Sequence, residues 1–142
     1  MALIVVDASV VIGFLDATDD HHPAAVAALE ASASDDLVLP ATAYAEVLVA
    51  PARKGSQAVA RVEEALSALT VRLEAVTPAI ARAAATLRAR HRFLRLPDAL
   101  VLATGDVLGA SMVLTADRAW PRISRRARLI WGRSAARDRD SE

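Results

Sequence analysis

A chain of 142 residues with 54% apolar content and no cysteine has the size of one domain with a sizeable core, and it excludes disulfide frameworks, thiolate metal sites and thiol nucleophiles. Zero net charge hides a split. Residues 1–71 carry three basic and ten acidic side chains, whereas residues 72–142 carry fourteen arginines and seven acids. Arginine forks match phosphate oxygens and stack on bases, so the second half offers either a nucleic-acid-facing surface or a set of solvated helix faces. The opening MALIVVDASVVIGFL lacks a basic leader and is interrupted by Asp7, which reads poorly as a signal peptide. No apolar run approaches the ~20 residues needed to cross a bilayer, and a soluble, cytoplasmic protein is expected.

In chain order, LIVV (residues 3–6) is a β-branched run that predicts a strand ending at Asp7, with a helix from Ser9 through Leu15. Asp16 to Pro23 reads as a polar turn, and Ala24 to Ala33 as a short helix. LVLP (37–40) predicts a second strand, and Pro40 marks the entry to the helix ATAYAEVLVA, which Pro51 and Gly55 help to close. Val59, Val62, Leu66 and Leu69 recur at steps of three and four, predicting an amphipathic helix over Gln57–Leu69. A brief strand is expected at 72–76. Thr77 and Pro78 then start a helix to about Arg90 on the N-cap and N1 pattern. Pro97 opens an apolar helix that Gly109 ends. MVLT (112–115) predicts a strand, Asp117 to Ile123 a turn or short helix around Pro121, and RLIW (128–131) the last strand. Alternating strands and helices predict an α/β fold, an α/β/α sandwich with a mostly parallel central sheet, over residues 1–132. Residues 133–142 carry no apolar anchor and are expected to form a disordered charged tail.

Four carboxylates stand out against this background. Asp7 ends a strand and is able to cap the following helix, yet strand carboxyl ends are also where open α/β sheets bind ligands. Asp98 lies in the first turn of a helix, where the dipole favours it. Asp117 follows the MVLT strand in a turn, an ordinary place for Asp. Glu46 is the hardest to explain structurally, because it sits inside a helix among Tyr44, Ala45, Val47 and Leu48 with no basic neighbour four residues away. Two strand ends and two helix positions can meet at one sheet edge. Carboxylates about 4 Å apart repel by about 4 kcal/mol at an effective dielectric near 20. Either some of them protonate or a cation compensates, and oxygen ligands without thiolate or a histidine cluster select Mg²⁺ or Mn²⁺. His21 and His22 lie in an acidic turn and read as solvated in preference to a ligand pair, and His91, among Arg88, Arg90, Arg92 and Arg95, reads as exposed in preference to assisting phosphate binding.

The segments VVDASVVIGFL, AYAEVL, LPDALVLATG and LTADRAWPRI, in that order, resemble those of PIN-domain ribonucleases of the VapC toxin family. The resemblance covers nearly the whole chain. It implies an α/β/α fold and an acidic centre that binds Mg²⁺ or Mn²⁺ for RNA cleavage. Asp7, Glu46, Asp98 and Asp117 match the acidic positions, and Ser9 and Thr115 match supporting hydroxyl positions. Asp7, Asp98 and Asp117 are then expected as metal ligands, with Glu46 beside them holding or deprotonating the attacking water. The family also implies a homodimer and a VapB-like antitoxin whose C-terminal segment occupies the acidic groove. Two departures are visible: Ala119 replaces an acid that many relatives carry, which bears on a second metal, and Gly105 stands where alanine is common.

Two other classes compete. A PIN-like binding module that does not cut is favoured by Ala119. A receiver-like phosphoacceptor domain also places acids at strand ends, but it expects an acid pair at the first strand and a lysine at a late strand end, and the sole Lys54 lies elsewhere. The absence of G-x-S-x-G, G-x-G-x-x-G and G-x-x-x-x-G-K-[ST] argues against a serine-hydrolase elbow, a dinucleotide site and a P-loop.

Overall fold

The computed structural model describes residues 1–130; the expected tail and Trp131 of the expected last strand lie outside the described residues. The elements are β1 (Leu3–Val6), α1 (Ala8–Leu15), α2 (His22–Ala31), β2 (Asp36–Pro40), α3 (Ala41–Lys54), α4 (Ser56–Ala68), β3 (Arg72–Glu74), α5 (Pro78–Arg90), α6 (Leu96–Leu108), β4 (Met112–Thr115), a 3-10 turn (Trp120–Arg122) and β5 (Ala127–Leu129).

The five strands form one parallel sheet in the order β3-β2-β1-β4-β5. Parallel neighbours require crossovers, and helices supply most of them. Ile4, Val5, Val6, Val38 and Val113 are almost completely buried, as expected for strands covered on both faces. From β1 the chain winds outward to β2 and β3, then returns to β4 on the other side of β1. That reversal opens a crevice beyond the carboxyl ends of β1 and β4, where doubly wound sheets bind ligands.

Helices pack in pairs, α1 with α2, α3 with α4 and α5 with α6, and α6 also contacts β1, β2 and β4. Close approach of α6 to β4 depends on Gly105. A Cβ there would lie 2.5 Å from Val113 Cγ2, a distance that packed carbons do not tolerate. At its end, α6 stops on Gly109 in the left-handed region (φ 64°), a conformation available to glycine at little cost. Thr77 caps α5 as its sequence position suggests, its hydroxyl accepting from Ile80 N–H at 3.2 Å.

Several boundaries move. Helix α2 starts at His22, because Pro23 at its first turn presets the helical φ. Helix α3 runs through Pro51 to Lys54. The proline removes one donor but leaves its carbonyl, which accepts from Gly55 N–H at 3.1 Å, and Gly55 at φ 121° ends the helix. Strand β3 ends at Glu74 rather than residue 76. Strand β5 begins at Ala127 and ends at Leu129, because only Val113, Leu114 and Thr115 of β4 have partners on it.

Candidate metal centre

Strand β1 delivers Asp7 to the crevice, and Asp7 N–H donates to Leu114 O at 2.9 Å, locking its backbone to the end of β4. Although Asp7 occupies the N-cap position of α1, its side chain makes no capping bond. Its Oδ2 instead accepts from Ser9 Oγ at 2.7 Å and from Thr115 Oγ1 at 3.1 Å. Each hydroxyl is itself held by backbone: Ala116 N–H donates to Ser9 Oγ at 3.1 Å, and Asp117 N–H to Thr115 Oγ1 at 3.0 Å. The two supporting hydroxyls expected from the sequence thus fasten Asp7 to the segment that carries Asp117. Burial pushes the Asp7 carboxyl up to about 6; the two hydroxyls pull it down, and Asp98 adds to the rise. Only 8% of the residue is exposed.

Asp98 enters from the first turn of α6, just after Pro97. The helix dipole and Arg95, whose Nε lies 3.6 Å from Asp98 Oδ2, both favour its charged form. Partial burial nevertheless outweighs Arg95 and holds this carboxyl above its ordinary value, with Asp117 contributing in the same direction. Glu46, on the solvent side of α3, is also held high, by desolvation first and by Asp98 second, against the pull of Arg95. Asp117 lies in the turn after β4, where its Oδ1 accepts from Ala119 N–H at 2.9 Å. Asp98 is therefore the common partner: Asp7, Glu46 and Asp117 each interact with it electrostatically.

The four acids do not share one cavity. Asp98 and Asp117 line a cleft of about 450 Å³ together with Arg90, Arg92, Arg122 and Ala119. Glu46 lines a separate groove of about 720 Å³ between α1, α3 and α4, whose apolar wall includes Ile12, Val47 and Val62. Asp7 lines neither. Among the described residues, no three His, Cys, Asp or Glu side chains form a group ready to hold an ion. The donor chemistry still fits a hard divalent cation. Three carboxyls carry raised proton affinity, and Arg95 is the one cation paired with the set among the described residues.

Sequence reading overlooked the Arg95–Asp98 pair, although its spacing of three in RLPD is the spacing that brings side chains together at a helix start. His22 is half-buried, with Nδ1 2.8 Å from Gly13 O, a structural tie. His91 N–H bonds Leu87 O at the end of α5. No helix of the described residues is long and apolar enough to cross a membrane.

Comparison with known proteins places the fold. No curated protein matches the chain. A toxin-antitoxin complex from Klebsiella pneumoniae superposes with a TM-score of 0.77 at 22% identity, covering 91% of this chain and 98% of that one. VapBC2 from Rickettsia felis, bound to a DNA fragment from its promoter, gives 0.75 at 14% identity over 91% and 98%. VapC20 from Mycobacterium tuberculosis, a Sarcin-Ricin loop cleaving toxin, gives 0.70 at 24% identity over 84% and 93%. In sequence, the model of the PIN domain matches residues 4–126. That span runs from β1 to the edge of β5 and contains all four acids, so the chain belongs to the PIN domain family.

Proposed function

We propose that this chain is a Mg²⁺- or Mn²⁺-dependent endoribonuclease of the VapC toxin type, acting in the cytoplasm and hydrolysing RNA phosphodiester bonds at the carboxylates gathered around Asp98. The observation that carries the reading is the unbalanced charge at the crevice: Asp7, Glu46 and Asp98 all have raised carboxyls, coupled through Asp98, in a PIN domain. Asp7, Asp98 and Asp117 would hold the metal, with Glu46 completing the set. Such an ion supplies Lewis acidity and neutralises charge at the scissile phosphate. Ser9 and Thr115 both engage Oδ2 of Asp7 and would orient its carboxyl. Glu46, with its raised proton affinity, would orient the attacking water and take its proton as the water oxygen bonds to phosphorus, while the bond from phosphorus to the leaving ribose oxygen breaks and that oxygen takes a proton from solvent. The arginines of the Asp98 cleft hold the RNA backbone, giving an affinity that falls with salt.

A VapB-like antitoxin is the proposed partner of a homodimer. Its C-terminal segment would lie in the groove lined by Glu46, with apolar side chains against Ile12 and Val47 and an arginine supplying the charge otherwise given by the metal. The K. pneumoniae and R. felis neighbours support a partner of this class, since both are toxin-antitoxin assemblies.

Purified protein incubated with structured RNAs, with and without Mg²⁺ or Mn²⁺, beside Asp98→Ala, tests the reading. Metal-dependent cleavage by the wild type alone is expected; equal cleavage by both proteins, or cleavage that persists in excess chelator, sinks it. Expression of the wild type should slow bacterial growth and Asp7→Ala should restore it. A second reading, a PIN module that binds RNA or protein without cutting, is favoured by Ala119, which lines the cleft where an acid is expected. Failure to cleave any RNA with either metal would shift the weight to it.

A further inference from the structure

The turn between α5 and α6 displays an aromatic ring that the fold does not use. Leu94 N–H donates to His91 O at 3.0 Å, closing a turn with Arg92 and Phe93 at its tip. Leu94 is buried in the core and His91 N–H is tied to Leu87 O, so the tip is anchored on both sides. Phe93 nevertheless stands 99% exposed. A phenyl ring left whole in water gains free energy when an apolar surface covers it. Its surroundings say what that is. Phe93 lines the same cleft as Asp98 and Asp117, flanked by Arg90, Arg92 and Arg122. None of these three arginines makes an ion pair among the described residues. Guanidinium groups around an aromatic face are the combination that grips single-stranded nucleic acid, with phosphates on the cations and a base on the ring.

We propose that Phe93 is a base-stacking platform that positions an unpaired nucleotide of the RNA next to the acidic centre, the adjacent arginines holding the flanking phosphates. The identity of the ligand as RNA rests on the nuclease reading above. Because every base has a flat face, this contact selects unpaired over paired nucleotides and discriminates weakly among the four bases. Phe93 is thus a positioning residue that favours loops, bulges and ends as cleavage sites.

The test measures binding apart from cleavage. Wild type, Phe93→Ala, Phe93→Leu and Phe93→Tyr are titrated, in chelator, against a short single-stranded RNA carrying 2-aminopurine, and its fluorescence and affinity are recorded. Stacking predicts quenching with the wild type and Phe93→Tyr. Phe93→Ala and Phe93→Leu should lose the quenching and bind about five- to a hundredfold more weakly, the size of removing one base–aromatic stack. The loss should shrink when the same sequence is presented as a duplex. Equal affinity and quenching for wild type and Phe93→Ala overturn the proposal, as does an altered sedimentation of Phe93→Ala, which would assign the ring to a contact with a second copy of the chain. If the wild type binds no RNA, the platform and the nuclease reading fall together. If it binds through Phe93 but cleaves nothing with Mg²⁺ or Mn²⁺, the platform stands and the nuclease reading fails.

Discussion

The two edges of the sheet treat charge in opposite ways. At the strands' amino edge, carboxylates are paired: Arg72 reaches Asp36 at 3.3 Å, Arg126 reaches Asp106 at 3.3 Å, and Asp35 Oδ1 accepts from Ala2 N–H at 3.0 Å. At the carboxyl ends of β1 and β4, Asp7, Glu46 and Asp117 each interact electrostatically with Asp98, and Arg95 makes the one ion pair with this set among the described residues. Helix α6 carries both conditions, with Asp98 in its first turn and Asp106 in its last. Nothing about solubility or folding demands that difference. An edge that concentrates negative charge at the topological reversal is where a cation would be attracted most strongly.

The comparison breaks most readily at α6 itself. Asp98→Asn should lower metal-dependent RNA cleavage by about a hundred- to a thousandfold, the scale of losing a group that stabilises charge in the transition state, while Asp106→Asn leaves the rate unchanged; equal losses in single-turnover assays would erase the distinction between the edges.

Asp7 offers a test in stability rather than rate. A carboxyl held near 6 instead of 3.8 is destabilising when charged, by about 3 kcal/mol at most. Below pH 3.8 the group is neutral in both folded and unfolded chains and the penalty vanishes; it grows as pH rises toward 6 and is complete above. In chelator, Asp7→Asn should therefore raise the melting temperature by several degrees near neutral pH and lose that advantage in acid. Added Mg²⁺ should stabilise the wild type and not this variant, and calorimetric scans across pH and metal concentration check both signs.

Smaller effects sharpen the picture. Thr115→Val removes one of the two hydroxyls on Asp7 Oδ2 and should weaken Mg²⁺ binding about ten- to a hundredfold, as changes to groups that orient metal ligands do; isothermal titration reads it directly. Arg72→Ala, at the paired edge and half exposed, should cost no more than about 1 kcal/mol in denaturant unfolding and leave cleavage intact.

Much of this was legible in the residues. LIVV, LVLP and MVLT are β-branched or leucine-rich runs bounded by acids, proline or threonine, and local pattern was enough to place them. Thr77–Pro78 and Gly109 marked helix ends because capping is a local event. Less legible was anything decided across the fold. Asp7 carried a capping signal that its side chain does not obey, because hydroxyls at positions 9 and 115, the latter brought in by β4, compete for it. Pro51 looked like a helix end, but its cost is a single missing donor near a terminus. That Glu46 and Asp98 open onto different cavities follows from helix packing, which no spacing encodes.

Gly105 against Val113 has a consequence for how this sequence changes over time. The two positions share one fixed space, so they are not free to drift independently. Adding a methyl at 105 first forces the Val113 side chain or α6, the helix that holds Asp98, to shift. Trimming 113 to alanine first opens a small void, at a modest loss of stability, that a methyl at 105 can later fill. A lineage exchanging glycine for alanine at 105 thus has an easier and a harder order of steps, and the acidic centre bears on history at a site it never touches.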